Sequence, residues 1–321
     1  MNKPTNETAG VLIMLLASAL FATMGYFVKR LGETHGTGEI VFFRNLIALM
    51  VLLPGILMHR SEIKGGRPFL LALRGLFGFA ALFAYFHTIT IIPLATAATF
   101  MKTAPLFTAL LAWIFLKEKS DPKIWFSVVA GFIGIMLILD PGSGVHITGA
   151  LLGLFAGFMA ASAYTSIRQL RSHYPPSVIV ASFAVFGVIG PSIIYAGGDF
   201  GIISQNFHRM LFHSMPGGIE WFFVLAVGLL ATISQYLMTK AYALGRASVI
   251  ATSSYSSLVF ASIAGYMAGD ALPDISDICG IILVALSGII VGVSTRNGGK
   301  NGTKRSSNNE GEPPHTGRAR A

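Results

Sequence analysis

The chain has 321 residues, of which 53% are hydrophobic and 12% are charged, with a formal net charge of +9. A soluble domain of this length does not need so much apolar surface, whereas a bundle of membrane helices does. The positive charge is spread over short polar segments and a tail, which excludes a nucleic-acid-binding face, and the single cysteine, Cys279, excludes an intrachain disulfide framework and a cysteine-based zinc site.

Apolar runs along the chain predict ten membrane spans. The first run begins soon after Lys3, but nine more follow it, so we interpret it as a span and not as a signal peptide. After Arg296 the composition turns to Gly, Asn, Ser, Lys and Arg, which predicts a disordered tail. The predicted spans cover roughly residues 10–28, 39–58, 68–91, 95–116, 122–139, 147–167, 177–196, 219–239, 247–268 and 275–294.

The distribution of positive charge predicts the orientation. With the N-terminus in the cytoplasm, most of the 23 Lys and Arg residues fall in inside segments, and only Lys29, Arg30 and Arg209 fall in outside loops. Both termini are therefore predicted to be cytoplasmic.

The two halves of the sequence resemble each other. An offset of 152 residues places Pro93–Glu118 over Gly245–Asp270, so that Lys102 corresponds to Ser254. An offset of 139 places Leu15–Leu31 over Leu154–Leu170. Because each unit contains five spans, the second copy is predicted to be inserted upside down, an arrangement typical of transporters with a midplane site between the halves.

The fourth span combines a lysine, Lys102, and a proline, Pro105, within about twenty otherwise apolar or small residues. Lys102 lies fifteen residues before Lys117, or about 22 Å from the inner end of the span. A cation at this depth costs a few kcal/mol unless it faces a cavity or a partner, and Pro105 deprives the Met101 carbonyl of its helical donor. The combination predicts a kink beside a binding lysine; the alternative is a lysine that extends its stem to the outer surface.

Three segments resemble the drug/metabolite transporter superfamily, EamA-like type: KTAPLFTALLAWIFLKEK from Lys102, FFRNLIALMVLLP from Phe42 and YSSLVFASIAGYMAGD from Tyr255. The resemblance covers Gly10 to Thr295. It implies an all-α polytopic membrane protein with ten transmembrane helices in two inverted five-helix repeats, over 10–140 and 147–294. It also implies a central cavity and a homodimer contact through the fifth and tenth helices. Residues 1–9 and 296–321 would be cytoplasmic ends.

The functional expectation is a secondary transporter, in the cell (inner) membrane, of a small polar metabolite such as an amino acid, a cofactor or a metallophore. The sequence lacks an ATP-binding loop and lacks paired acids or a His-rich cluster, so we expect neither an enzyme nor a bound cofactor or metal. A membrane-embedded enzyme and a non-transporting assembly subunit are the alternatives. The spans contain no interior Asp or Glu for a proton relay, which leaves His87 as the candidate proton-coupling group.

Arg44 is the second candidate for binding an anion. It lies about 7–8 Å below the outer end of its span, at a depth similar to that of Lys102. Two cations at one depth suggest an outer-half cavity for a carboxylate or a phosphate. The alternatives are that Arg44 binds freed backbone carbonyls or pairs with Glu39; Arg74 is expected to extend to the inner surface.

Polar side chains within other spans complete the predicted site. Tyrosine, amide and hydroxyl groups supply flat faces and hydrogen bonds for a ligand, although helix-to-helix bonding is their commoner use. The candidates are Tyr85, Tyr164, Gln235, Ser254 and Tyr255.

Overall fold

The fold, given by a computed structural model, is described for residues 7–58, 63–104, 106–108, 110–111, 122–138, 147–170, 173–199, 204, 208, 211–213, 215–244, 253–287 and 289–290. Every regular element among these residues is a helix. The helices are α1 (Glu7–Leu31), α2 (Thr37–Met58), α3 (Pro68–Ile91), α4 (Leu94–Met101), α5 (Pro122–Ile138), α6 (Ile147–Leu170), α7 (Pro176–Asp199), α8 (Glu220–Leu244), α9 (Ser256–Met267) and α10 (Ile275–Ser287). Pro105, most of the N-terminal segment 1–9 and the tail 296–321 lie outside the described residues.

Five helices within the described ranges are long and apolar enough to cross a membrane: α1, α2, α3, α7 and α8. Their outward faces carry large apolar side chains, including Met50 at 61% exposure and Ile193 at 64%. Such faces suit contact with lipid, because hydrocarbon solvates them as well as a protein interior does. The shorter helices α9 and α10 are apolar as well, as are the stretches Val128–Ile138 of α5 and Ile147–Ala163 of α6.

Each main helix contact between the two halves has a counterpart in which the roles of the halves are exchanged. The contact of α1 with α8 matches that of α6 with α3, and the contact of α1 with α9 matches that of α6 with α4. Likewise α2 packs on α8 as α7 packs on α3, while α2 contacts α7 and α4 contacts α9. Exchanging α1–α5 with α6–α10 therefore reproduces the main contacts between halves, which agrees with the internal repeat of the sequence.

Glycines set the distance between α6 and the α4 region. A Cβ atom on Gly153 would lie 2.6 Å from the Phe100 ring, and one on Gly157 would lie 2.8 Å from the Phe100 carbonyl oxygen. Gly149 makes the same kind of contact with Ile92. Small residues at a spacing of four let helix backbones approach closely in a membrane.

Replacing Gly157 with Ala is expected to destabilise the protein by about 1–3 kcal/mol, because the added methyl would overlap both the Thr103 hydroxyl and the Phe100 carbonyl oxygen, and the carbonyl is backbone that cannot rotate away. Thermal unfolding in detergent measures the effect. Gly55→Ala is the matched control, since nothing lies within 4 Å of a Cβ at that position. Equal midpoints for the two variants would contradict close packing at Gly157.

A second close approach joins α5 to α10. A Cβ on Gly134 would lie 2.8 Å from the Gly280 carbonyl oxygen, and one on Gly280 would lie 2.6 Å from that of Gly134. The two helices thus approach each other closely at these glycines.

Candidate functional site

The helix that carries Lys102 is interrupted at that residue. α4 ends at Met101, and Lys102 and Thr103 form a turn before helical hydrogen bonding resumes with Phe107 N–H to the Thr103 carbonyl, 3.2 Å. Met101 is the residue whose carbonyl Pro105 cannot bond, so the break lies where the proline predicts it. The interruption places the Lys102 side chain at a point where the regular helix surface ends.

The second half contains the corresponding interruption. Residue 253 is helical, Ser254 and Tyr255 form a turn, and α9 begins at Ser256. The turn residues 254 and 255 are related to 102 and 103 by the offset of 152. Interrupted helices at corresponding positions of two repeats are a frequent element of transporter binding sites, because they bring backbone and side-chain polar groups into the membrane interior.

The two interruptions contact each other through the predicted site residues. Lys102 Nζ donates a hydrogen bond to Ser254 Oγ at 3.1 Å and lies 5.6 Å from the ring centroid of Tyr255. Cation–π contacts at this distance contribute about 0.5–2 kcal/mol, depending on desolvation. The lysine is therefore held by a hydroxyl and an aromatic face of the other half and does not extend away to the outer surface.

Arg44 also contacts the residue at the corresponding position of the second half. The offset of 139 places Thr37 over Pro176, the first residues of α2 and α7, and so places Arg44 over Phe183. The Arg44 guanidinium lies 5.0 Å from the centroid of the Phe183 ring. It also donates a hydrogen bond to Asn45 Oδ1 at 2.7 Å, and the side chain is 2% exposed. Neither freed carbonyls nor Glu39 are the partners seen here.

Both candidate cations contact a residue that the repeat offsets place at the equivalent position in the other half. In a two-fold arrangement, a residue touches its own equivalent only close to the axis. Both Lys102–Ser254 and Arg44–Phe183 satisfy this condition. Each candidate cation therefore faces a neutral side chain from the other half.

Arg74 is buried as well, and the expectation that it extends to the inner surface is wrong. Its side chain is 7% exposed, and its guanidinium lies 5.5 Å from the centroid of the same Phe183 ring. Gly78, one turn along α3, leaves the space that the guanidinium occupies. The sequence position of Arg74, seven residues after Arg67, did not indicate that its side chain points into the protein.

The other predicted residues are distributed more widely. The Tyr85 ring packs on Phe86 and the central apolar core, and Gln235 is half-buried on α8. His87 Nδ1 lies 2.9 Å from Thr37 Oγ1, at the ends of α3 and α2 and away from the interrupted helices. Tyr164 belongs to α6, but its side chain lies outside the described part of the structure.

An ion pair that the sequence did not suggest joins the two halves at the predicted outer end. Lys29, in the last turn of α1, pairs with Asp270, which follows α9. α1 continues to Leu31, beyond the predicted end at residue 28, and so Lys29 is helical and not in a loop. Lys29 Nζ also donates to the Ile92 carbonyl at 3.2 Å, and the Leu94 N–H donates to Asp270 Oδ2 at 2.9 Å.

Other contacts join the ends of the bundle. At the predicted outer end the His213 N–H donates to Glu39 Oε1 at 2.8 Å, and at the opposite end the Gly65 N–H donates to the His173 carbonyl at 3.1 Å. A cavity of about 150 Å³ beside Asp270 is lined by Thr96, Ser262 and further acidic residues of the α9–α10 segment. The described residues contain no group of three His, Cys, Asp or Glu side chains arranged to hold a metal ion.

Comparison with solved structures shows a shared fold. A protein of known crystal structure superimposes with a TM-score of 0.59 at 19% sequence identity, covering 89% of this chain and 97% of that chain.

Sequence comparison identifies the family. The sequence model of the EamA-like transporter family matches residues 8–140 and 147–293. An uncharacterised transporter of Helicobacter pylori (strain J99) is 30% identical over 289 residues, 88% of this chain and 94% of the relative. The pseudopaline exporter CntI of Pseudomonas aeruginosa (strain UCBPP-PA14) is 29% identical over 87% of this chain and 94% of its own length. The S-adenosylmethionine uptake transporter of Rickettsia felis is 26% identical over 80% and 83%. The chain belongs to the EamA-like transporter family, within the drug/metabolite transporter superfamily, and is a multi-pass membrane protein and not an enzyme.

Proposed function

We propose that the protein is a secondary transporter that moves a small polar metabolite, anionic or zwitterionic, across the cell (inner) membrane. The observation that carries the proposal is the contact of Lys102 with Ser254 where both repeats interrupt a helix. A cation held at the axis between two halves can be exposed to either side when the halves rock against each other, which is how alternating access works in repeat-based transporters.

The proposed architecture has ten transmembrane helices in two inverted repeats, over residues 10–140 and 147–294. The paired contacts between halves support it, as do the family matches on either side of residues 141–146. The proposed binding residues are Lys102, Arg44, Tyr85, Tyr164, Gln235, Ser254 and Tyr255, with His87 as a proton-coupling candidate. We also propose a homodimer through α5 and α10, which both carry exposed apolar side chains, such as Phe126 and Ile275.

Flux measurements with purified protein in liposomes test the proposal. Radiolabelled amino acids, dicarboxylates, S-adenosylmethionine and pseudopaline are each presented with and without a preloaded counter-substrate, which separates exchange from net movement. Saturable flux of any of these above that of protein-free liposomes supports a transporter. Binding of a compound without flux in either direction would favour the non-transporting assembly subunit.

Both termini are expected to be cytoplasmic, because positive charge is retained on that side of the membrane. A reporter that is active only in the cytoplasm, fused after residue 321, should be active, and the same reporter inserted near Asp199 should be inactive. A second reporter that requires export should give the opposite result at both places. An exported C-terminus would contradict the proposed topology.

A further inference from the structure

The short helices α4 and α9 belong to different halves and are joined at both of their ends. At the predicted outer end, the Leu94 N–H at the start of α4 donates to Asp270 Oδ2 at 2.9 Å, and Lys29 pairs with the same carboxylate. At the other end, Lys102, which follows α4, donates to Ser254 Oγ at 3.1 Å, just before α9 begins. These are the Asp270 contact and the Lys102 contact, which the eight residues of α4 place about 12 Å apart.

The two contacts differ in the charge of the acceptor. Asp270 is a carboxylate, so Lys29 already has an acceptor of the kind that an ammonium binds strongly. Ser254 offers a neutral hydroxyl, and Tyr255 offers a ring whose centroid lies 5.6 Å from Lys102 Nζ. Hydrogen bonds to an ionised acceptor are roughly twice as strong as those to a neutral one. A carboxylate or phosphate group that reaches Lys102 therefore competes with Ser254, and has no such advantage at Lys29.

The lysine side chain can change its partner without a change in the backbone. Lys102 is half-buried, and its ammonium carries three donors at the end of a flexible apolar stem. It follows Met101, at the point where the regular helix is interrupted. Turning the ammonium from Ser254 to a ligand breaks this hydrogen bond between the halves, so occupancy of the site and the attachment of the halves are linked.

We propose that the Lys102 contact is an interlock between the two halves that the substrate operates. In the empty protein the Lys102–Ser254 hydrogen bond restrains the halves, and an anionic group of the substrate releases them by taking the ammonium. This inference rests on the proposed transport function. A ligand shifts a conformational equilibrium toward the state that it binds better, and here that is the state in which Lys102 has left Ser254.

The interlock predicts the mode of transport. An empty protein must break the Lys102 contact without a replacement before its halves can rock, whereas a loaded protein has already exchanged that contact for the substrate. The loaded form therefore moves between its two open states faster than the empty form does. Exchange of substrate across the membrane is then faster than net movement, because net movement requires the empty form to return.

Alkylation of a buried cysteine measures opening without any flux. Ala261 is buried on α9, two turns from Ser254, and a cysteine there reacts with N-ethylmaleimide when the helices around it separate. In a purified parent protein with Ala261→Cys and Cys279→Ser, adding Ser254→Ala is expected to raise the initial rate by about threefold or more, as the loss of one hydrogen bond predicts. Lys102→Met is expected to act alike, and the double variant to react no faster than either, since both substitutions remove one contact.

Two matched variants separate the interlock from a general loosening of the fold. Ser254→Thr keeps the hydroxyl and is expected to react at the rate of the parent protein. Ser192→Ala removes a hydroxyl that bonds to the Val188 carbonyl of its own helix, and is also expected to react at the parent rate. The parent rate in Ser254→Ala, or an equal increase in Ser254→Thr or Ser192→Ala, would refute the interlock.

Flux in liposomes tests the predicted mode of transport. The radiolabelled compound that the flux measurements identify is presented at saturating concentration, with and without the same unlabelled compound inside. Preloading is expected to raise uptake severalfold in the native protein and much less in Ser254→Ala, whose empty form is no longer restrained. Equal uptake with and without preloading in the native protein, or the same ratio in both proteins, would overturn the link between the interlock and the substrate. Absence of all flux, with alkylation still dependent on Ser254, would refute the transport function and not the restraint.

Discussion

Transport is expected to fall at least tenfold when Lys102 is replaced by Met. The Met side chain keeps most of the apolar stem and removes a half-buried ammonium whose contacts are the Ser254 hydroxyl and the Tyr255 ring. Losing a charge-assisted interaction of about 1.4 kcal/mol corresponds to a tenfold loss of affinity. Substrate affinity and flux in liposomes are the measurements, at equal thermal stability of the two proteins.

Matched variants make this result interpretable. Lys64→Met removes an exposed lysine from the segment between α2 and α3 and is expected to leave flux unchanged. Lys102→Arg keeps the charge but changes its shape, so an intermediate flux is expected. Ser254→Ala combined with Lys102→Met should cost little more than Lys102→Met alone if the two groups act together. Unchanged affinity in Lys102→Met would remove the lysine from the site.

Cross-linking position 29 to position 270 is expected to abolish transport. The Lys29–Asp270 pair joins α1 of the first half to the end of α9 in the second, and both side chains are largely shielded, at 17% and 9% exposure. In the proposed transport cycle, rocking of the halves separates these ends when the site opens to the predicted outer side. Cysteines at both positions, in a Cys279→Ser background, are linked with a short reducible bis-methanethiosulfonate reagent.

The expected outcome is loss of flux on linking and its recovery on reduction. The control pair is Arg30→Cys with Glu33→Cys, since those residues form an exposed ion pair within one half, and linking them restrains no movement between halves. Each single cysteine treated with the same reagent controls for modification alone. Full flux in the linked 29–270 protein would show that these ends do not separate during transport.

The sequence was sufficient to identify the charged and helix-breaking residues that are unusual within an apolar membrane span. Lys102 and Pro105 conflict with an apolar span, and an interrupted α4 resolves that conflict at the predicted place. The internal repeat also predicted which residue of the second half corresponds to Lys102, although not that the two would touch. Whether equivalent residues touch depends on how the two halves pack against each other, and the sequence does not give that packing.

Phe183 and Arg74 were missed for different physical reasons. A phenylalanine in an apolar span carries no signal of its own, although extending the offset of 139 beyond Leu31 places it over Arg44. Arg74 has two ways to satisfy its charge, extension to the surface or turning inward, and the choice depends on the space that Gly78 leaves. Lys29 and Asp270 are 241 residues apart, so only the three-dimensional structure reveals their pairing.

The contacts across the axis have a consequence for the origin of such a chain. A dimer of two identical five-helix units would place lysine against lysine at the position of Lys102 and Ser254, and arginine against arginine at that of Arg44 and Phe183. Like charges in contact repel strongly away from water. When the two units are joined in one polypeptide, equivalent positions no longer have to carry the same residue. One half can then keep the charged side chain while the other half acquires a neutral side chain that contacts it.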